Sequence, residues 1–128
     1  MQAYPKPSKK KKKLIPLNKL LKKTQIVFNR WIRNRDEGLT CISCNGKYSQ
    51  AGHYIAQGSS SNLRFNEDNV NGQCAGCNTF KSGNLIEYRI GLVKKIGIKR
   101  VQWLEDNRKV FKTWKRWELE ALLEKYKL

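Results

Sequence analysis

The chain has 128 residues and a formal net charge of +17 at pH 7, from 27 basic and 10 acidic side chains. Solubility does not need charges of one sign, so this excess predicts a polyanionic partner, most simply nucleic acid. No apolar run approaches the roughly 20 residues of a membrane-spanning helix, and the N-terminus lacks the apolar stretch of a secretory signal. We therefore expect one domain of modest core that is neither membrane-spanning nor secreted. Binding of anionic lipid by a basic amphipathic surface remains an alternative.

The first 16 residues predict a disordered basic arm. They hold six lysines, five of them consecutive, and no acid. Like charges repel and the prolines oppose helix formation, so this segment either binds nucleic acid or only solubilises the chain. The remaining residues still carry +11, so the positive charge is not confined to the arm.

A basic amphipathic helix is predicted over residues 17–38. Apolar side chains recur at helical spacing from Leu17 to Ile32, and Gly38 ends the pattern. The other face carries basic residues with no acid among them, which favours a phosphate-binding ridge over a merely solvated face. The candidates for DNA contacts on this helix are Lys22, Lys23, Arg30 and Arg33.

The rest of the chain divides into an irregular centre and a helical end. Residues 39–83 are rich in Gly, Ser, Asn and Cys, which predicts loops, a short hairpin and a metal site. Helices are predicted within 84–97, 100–111 and 113–128. The fold class predicted is therefore α+β, with a small central core flanked by N-terminal and C-terminal helices.

Four cysteines in two Cys-x2-Cys pairs predict a structural zinc site. The ligands would be Cys41, Cys44, Cys74 and Cys77. Two residues between thiolates allow both to reach one tetrahedral ion, and no cysteine is left over. Two disulfides or an iron–sulfur centre are the alternatives. The 29 residues between the pairs exceed the gap of a minimal zinc ribbon, so another element is expected there.

The single histidine, His53, is the candidate proton acceptor. It follows Gly52 at the end of a possible hairpin arm, in a polar segment where we expect an ordinary pKa near 6.5. The zinc would already have four thiolates, which leaves the imidazole free for proton transfer. A purely structural histidine is the alternative.

These motifs together resemble a known family. Cys-x2-Cys, a hairpin histidine, a later Asn and then Cys-x2-Cys-Asn resemble the zinc-stapled HNH, or ββα-metal, endonucleases with a treble-clef-like core. More closely, "TCISC", "AGHY", "LRFNEDNVNGQCAGCN", "KSGN" and "YRIGLVKKIG" are similar to the bacteriophage lambda NinG (Rap recombinase) family. The resemblance implies a DNA endonuclease that cuts branched recombination intermediates, such as Holliday junctions and D-loops, with a divalent metal.

The resemblance also implies roles for single residues. By position, His53 would be the general base, Asn69 would position the loop and the histidine, and Asn78 would bind a catalytic Mg²⁺ or Mn²⁺. Many HNH nucleases have an acidic ligand directly before the histidine, where this chain has Gly52. The expected replacement is a carboxylate from the loop before the second cysteine pair. The two candidates for it are Glu67 and Asp68.

Near the motif, Arg64, Lys81 and Arg89 are candidates for phosphate contacts, with a solvated-surface or core-capping role as the alternative. We expect one nuclease domain over residues 17–128 that binds branched DNA and works in the cytoplasm of a bacterial host. Symmetric resolution of a junction needs two cuts, which is compatible with a homodimer. The alternative function is a non-catalytic zinc module that binds nucleic acid.

Overall fold

The computed structural model describes residues 14–56, 58 and 61–128. The predicted arm therefore lies outside the described residues, except for positions 14–16. The elements in chain order are α1 (Leu17–Arg35), β1 (Gln50–His53), a 3₁₀ turn (Ser61–Leu63), β2 (Val70–Gln73), a π-helical turn (Gly76–Phe80), α2 (Leu85–Ile96), α3 (Ile98–Asp106) and α4 (Arg116–Tyr126). The α+β class is thus confirmed, and none of these helices is long and apolar enough to cross a membrane.

The helices follow the apolar periodicity, with differences at their ends. The helix predicted over 17–38 is α1, and Gly38 lies beyond its end with a φ of +87°, a value that favours glycine. The helix expected within 100–111 begins two residues earlier, because Gly97 at φ +90° separates α2 from α3. The closing helix is shorter than the predicted segment.

A two-stranded antiparallel sheet forms the centre of the molecule. Its register pairs Gln50 with Gln73 and His53 with Val70. Opposite residues share a face of the sheet and successive residues alternate, so Gln50, Gly52 and Gln73 lie on one face and His53 on the other. Two strands alone are marginally stable in water, so both faces need support.

The His53 face of the sheet packs against α1 and α4 through an aromatic cluster. Phe28 is fully buried and makes edge contacts with Tyr126 at 4.8 Å and Phe65 at 5.8 Å between ring centroids. Leu119 of α4 and Val70 of β2 complete this cluster. Such aromatic pairs add roughly 0.5–1.5 kcal/mol beyond the area that they bury.

The opposite face of the sheet packs against α2, which in turn packs against α3. Tyr88 and Leu92 of α2 and Val101 and Leu104 of α3 are all fully buried. The Tyr88 hydroxyl donates to the carbonyl of Gly52 at 2.7 Å, which bonds α2 directly to β1. The burial of its ring raises the pKa of Tyr88 far above its usual value, so the hydroxyl remains a donor.

A buried carboxylate at the end of α1 connects both halves of the core. Asp36 accepts hydrogen bonds from Arg35 at 2.8 Å, Lys95 of α2 at 2.9 Å and the Gly72 N–H of β2 at 2.9 Å. Burial alone would raise the pKa of Asp36, but these hydrogen bonds outweigh it and lower the pKa below its usual value. Asp36 therefore stays ionised and links α1, β2 and α2.

We predict that Asp36→Asn lowers the free energy of unfolding at pH 7 by about 2–4 kcal/mol, because two partly buried cations lose their counter-charge. Since the pKa of Asp36 is depressed in the folded state, its contribution is present above about pH 4 and lost as the pH falls further. Urea unfolding at several pH values measures both effects. Glu37→Gln, at the exposed neighbouring acid, is the matched control. An equal loss in both variants would contradict the role of Asp36.

Candidate active site

The four cysteines form one cluster, as their spacing predicts. Their Sγ atoms all lie within 4.8 Å of one another, and none is in a disulfide. The Sγ atoms of Cys44 and Cys74, one from each pair, are 3.7 Å apart. Tetrahedral zinc with bonds of about 2.3 Å separates its sulfur ligands by about 3.8 Å. The cluster can therefore bind one zinc ion.

Local backbone geometry directs the sulfur atoms inward. Asn45 has a φ of +64°, and the turn that it forms lets the Gly46 N–H donate to Cys44 Sγ at 3.4 Å. In the second pair, the Cys77 N–H donates to Cys74 Sγ at the same distance. Donors near sulfur favour the thiolate form that binds metal.

A polar cleft of about 360 Å³ lies along β1, between α1 and the segment that follows the second cysteine pair. Gln25 and Asn29 of α1 line one wall, His53 of β1 lies between the walls, and Asn78 and Ser82 line the other wall. The structure thus brings His53 and Asn78, two of the residues singled out from the sequence, to one cavity.

The imidazole of His53 is oriented by a backbone carbonyl. Its Nε2 lies 3.1 Å from the carbonyl oxygen of Arg64, which can only accept a hydrogen bond. Nε2 therefore carries the proton, and Nδ1 carries the lone pair. Gln25 Nε2 lies farther away, at 3.5 Å, and already donates to Asn29 at 2.8 Å.

The pKa of His53 differs from the sequence expectation of about 6.5. Burial of the ring is the main cause of a pKa lowered to about 4; the hydrogen bond to the Arg64 carbonyl opposes this shift, and the positive charge of Arg64 adds to it. The segment is polar, as expected, but the ring is largely buried, with Gln25 of α1 and the Arg64 carbonyl against it, and this burial accounts for the lower pKa. At neutral pH the side chain is uncharged and able to accept a proton.

Two amide side chains lie beside Gly52, Asn78 in the cleft wall and Gln73 in the interior. Asn78 Nδ2 donates to Gln50 Oε1 at 2.8 Å. Gln73 is fully buried and donates through Nε2 to Ser43 and to the Gly83 carbonyl, whereas its Oε1 has no hydrogen-bond partner. A buried acceptor without a partner typically costs about 1–3 kcal/mol. Gln73 was not singled out from the sequence, where its only local signal is its place next to Cys74.

Asn69 is fully buried and bonds to the loop between the strands. Its Nδ2 donates to the carbonyls of Ile55 and Leu63 at 3.0 Å each, and its Oδ1 accepts from the Ile55 N–H at 2.8 Å. Asn69 therefore positions this loop, from which Arg64 bonds to His53. The contact with His53 is indirect, so Asn69 is a positioning residue and not a catalytic one.

The two candidate acids of the sequence analysis do not line the cleft. Glu67 accepts a hydrogen bond from the Tyr126 hydroxyl at 2.7 Å, and Asp68 forms an ion pair with Arg100. Neither belongs to a group of potential metal ligands among the described residues, where the four cysteines form the one such group. The prediction that Glu67 or Asp68 binds the catalytic metal together with Asn78 is therefore corrected, because the two carboxylates bind Tyr126 and Arg100 outside the cleft.

The candidate phosphate contacts near the cysteine and histidine motifs differ in whether their charged groups are already bound to other side chains. Arg64 donates from Nε to Gln25 Oε1 at 2.8 Å and packs over the Phe65 ring. Arg89 is paired with Glu105 at 2.7 Å. Lys81 is exposed and directly precedes Ser82 of the cleft wall.

The basic face of α1 adjoins the cleft. Lys22, Gln25, Asn29 and Arg33 follow each other at intervals of three and four residues, so they form one row along the helix. The two central members line the cleft, and the two ends of the row are basic. On the outer side of this row, Lys23 and Arg30 are exposed. Gln25 and Asn29 were not singled out from the sequence, since only the packing of α1 against β1 brings them to His53.

We predict one tightly bound zinc ion per chain, held by the four thiolates. Cys74→Ser or chelation should unfold the central region, because the binding energy of a structural zinc is also folding energy. Elemental analysis of purified protein and circular dichroism with and without chelator measure this. Ser49→Ala, at an exposed position before β1, is the control and should retain the metal. Absence of bound metal, or disulfides found by mass spectrometry, would contradict the assignment.

We predict that the His53 imidazole titrates near pH 4 in the folded protein. The chain has one histidine, so its ring signals in an NMR titration are unambiguous. In denaturant the same signals should titrate at about 6.5, the value of a solvated histidine. A folded-state value between 6 and 7 would show that the ring is not covered by α1.

Comparison with known proteins agrees with the motifs. The family described as "Bacteriophage Lambda NinG protein" matches residues 4–128. Protein ninG of Salmonella phage P22 is 40% identical over 116 residues, which cover 88% of this chain and 57% of the relative. Protein ninG of Escherichia phage lambda is 43% identical over 97 residues, which cover 73% of this chain and 48% of the relative.

The chain spans about half the length of the curated relatives that it matches. No solved structure shows significant similarity to it. The family match over nearly the whole chain, together with relatives at 40% identity or more, shows that the chain belongs to the NinG family of bacteriophage proteins.

Proposed function

We propose that this protein is a metal-dependent endonuclease that cuts branched DNA, such as Holliday junctions and D-loops. The observation that carries the proposal is the environment of His53: a neutral imidazole with its lone pair on Nδ1, in a polar cleft beside Asn78 and next to a basic helix face. Family membership and the net charge of +17 support the same conclusion.

The basic surface fits a DNA backbone. Exposed lysines and arginines of α1 lie on the outer side of the row of residues that forms the cleft wall. A DNA strand lying along this helix would therefore bring a phosphate to His53. Contacts of this kind position a duplex without reading its sequence. A preference for branched DNA would then come from the shape of the surface.

The chemistry assigned to His53 is proton transfer from water. Nδ1 accepts a proton as the water oxygen attacks phosphorus, the bond from phosphorus to the leaving oxygen breaks, and that oxygen takes a proton from solvent. A pKa near 4 makes His53 a weak base in the free protein. The negative charge of a bound phosphate raises this pKa towards the working range, so substrate binding would activate the base.

A divalent cation, when bound, would neutralise the charge that develops on the phosphate and on the leaving oxygen. Asn78 would hold it through its amide oxygen, a ligand type suited to Mg²⁺ or Mn²⁺. Among the described residues that line the cleft there is no carboxylate, and a phosphate of the DNA would supply the negative charge. Gln73 Oε1, buried against Gly52 and without a hydrogen-bond partner, is a candidate for a further oxygen ligand.

The alternative function is a zinc module that binds nucleic acid without cutting it. The basic surface and the four-cysteine cluster fit both functions. The alternative accounts for the hydrogen bond that holds His53 to the Arg64 carbonyl, but not for the place of the histidine in a polar cleft with Asn78.

We predict that His53→Ala reduces cleavage of a labelled four-way junction in Mg²⁺ by about 10²–10⁴-fold, the usual effect of removing a general base. Zinc content, thermal stability and junction affinity should persist. The pKa of His53 is depressed in the folded protein. The pH dependence of wild-type cleavage should therefore show no inflection near pH 6.5 from titration of the free protein.

The matched control is Asn29→Ala, which lies in the same cleft but has no part in proton transfer. If the folded His53→Ala variant binds the junction and cuts at the parental rate, His53 is structural. If the wild type binds junctions tightly but never cuts them in Mg²⁺ or Mn²⁺, the non-catalytic alternative is correct.

A further inference from the structure

The orientation of the Gln73 amide is determined by its neighbours. Nε2 lies 2.6 Å from the carbonyl oxygen of Gly83 and 2.9 Å from Ser43 Oγ. A carbonyl oxygen only accepts, so the nitrogen of the amide must face it. Oε1 consequently points the other way, and it is the one buried side-chain nitrogen or oxygen atom among the described residues that has no hydrogen-bond partner. Such an exception in a folded protein calls for an explanation, for which a bound ion is one candidate.

The unpartnered oxygen points at Gly52. A Cβ atom placed on this glycine would lie 1.9 Å from Gln73 Oε1 and 3.0 Å from Asn78 Oδ1. The register of the sheet explains the first contact, because Gln73 lies opposite Gln50 on the face that also contains Gly52. The hydrogen bond from Asn78 Nδ2 to Gln50 explains the second, because it turns Oδ1 towards Gly52.

The resemblance to HNH nucleases implies an acidic metal ligand directly before the histidine, where this chain has Gly52. Here the side-chain space of that acid is occupied by an amide oxygen that comes from the neighbouring strand. Any side chain at position 52 would overlap Gln73 Oε1, so the observed position of the Gln73 side chain requires glycine at position 52.

We propose that Gln73 Oε1 and Asn78 Oδ1 are the two protein ligands of a divalent cation at Gly52, the residue before His53, and that Gln73 replaces the missing acid. The inference rests on the proposed nuclease function. Hard cations such as Mg²⁺ accept amide oxygens and retain several waters.

The charge of this site determines how tightly it binds a divalent cation with and without DNA. Both ligands are neutral and the chain carries +17, so the free protein holds the cation weakly. A phosphodiester supplies the missing negative charge. Cation and DNA therefore increase each other's affinity by the same factor, as linkage requires.

A competing arrangement makes a different prediction. If the amides of Gln50 and Asn78 both rotate, Asn78 Nδ2 can donate to Gln73 Oε1 and satisfy it without a cation. In that arrangement, changes at Gln73 would alter stability but not cation affinity.

The test uses the zinc-loaded chain and Mn²⁺ as the probe, with free Mn²⁺ measured by electron paramagnetic resonance. Asn78→Asp adds a charge to the ligand pair and should tighten Mn²⁺ binding at least about tenfold, even without DNA. Asn29→Asp is the matched control, since it adds the same charge to the opposite wall of the cleft and should have a much smaller effect. Equal effects of the two variants would overturn the proposal, because cleft charge alone would then explain binding.

The decisive variant is Gln73→Met in the Asn78→Asp background, which keeps the size of the side chain and removes the oxygen. Its Mn²⁺ affinity should fall to that of Asn29→Asp, with zinc content retained. If Gln73→Met does not fold, Asn78→Asp combined with Gly52→Ala tests the same point, because the new methyl group displaces Gln73 Oε1. Unchanged Mn²⁺ affinity in the folded double variant would overturn the ligand pair.

These outcomes are separate from those of the nuclease proposal. A chain that binds Mn²⁺ as expected but never cuts DNA retains the ligand pair and loses the nuclease function. A chain that cuts DNA, with Mn²⁺ affinity independent of Gln73, retains the nuclease function and loses the ligand pair.

Discussion

The four-cysteine cluster is the constraint on which the centre of the molecule depends. The segment from 39 to 83 contributes few residues to the apolar clusters, and its sheet has two strands of four residues each. Such a hairpin is marginal by itself in water. One pair of cysteines precedes β1 and the other follows β2, so a single metal ion would close the segment at both ends of the hairpin. The zinc would thereby support the cleft without taking part in its chemistry.

A second constraint is the set of polar contacts that holds the sheet between the helices. Asp36 links α1 to Gly72 and Lys95, and Tyr88 links α2 to the carbonyl of Gly52. The Asn71 side chain lies between these two groups, accepting from Lys95 at 2.6 Å and donating to the Tyr88 hydroxyl at 3.1 Å. Because satisfied buried polar networks permit few alternative packings, β1 and its terminal His53 are held in one position relative to α1 and α2.

The cleft combines a neutral base with positively charged surroundings. Burial keeps His53 uncharged at neutral pH, while the exposed basic residues of α1 surround the cleft with positive charge. Under the proposed function, a phosphate that enters the cleft would raise the pKa of the imidazole and would supply negative charge for a cation. Substrate binding would then complete the site, and the proposed reaction would be limited in the free protein.

The sequence by itself determined the features that depend on local spacing. Apolar periodicity placed α1 and α2, and Gly38 indicated where the first of these helices ends. The two Cys-x2-Cys pairs predicted the thiolate cluster, because the reach of two sulfurs to one ion depends only on the residues between them. The motifs around His53 and Asn78 were sufficient for the resemblance to the family that the comparisons then showed.

Only the tertiary structure decided which side chains meet in the cleft. Gln25, Arg64 and His53 are far apart in sequence, and their contacts arise from the packing of α1 against the sheet. The same packing shifts the pKa of His53, since burial depends on the neighbours in space. It also assigns Glu67 and Asp68 to partners on α4 and α3, and it places the Gln73 oxygen at Gly52. Spacing along the chain cannot predict these outcomes, because each depends on distances between residues that only the folded backbone brings together.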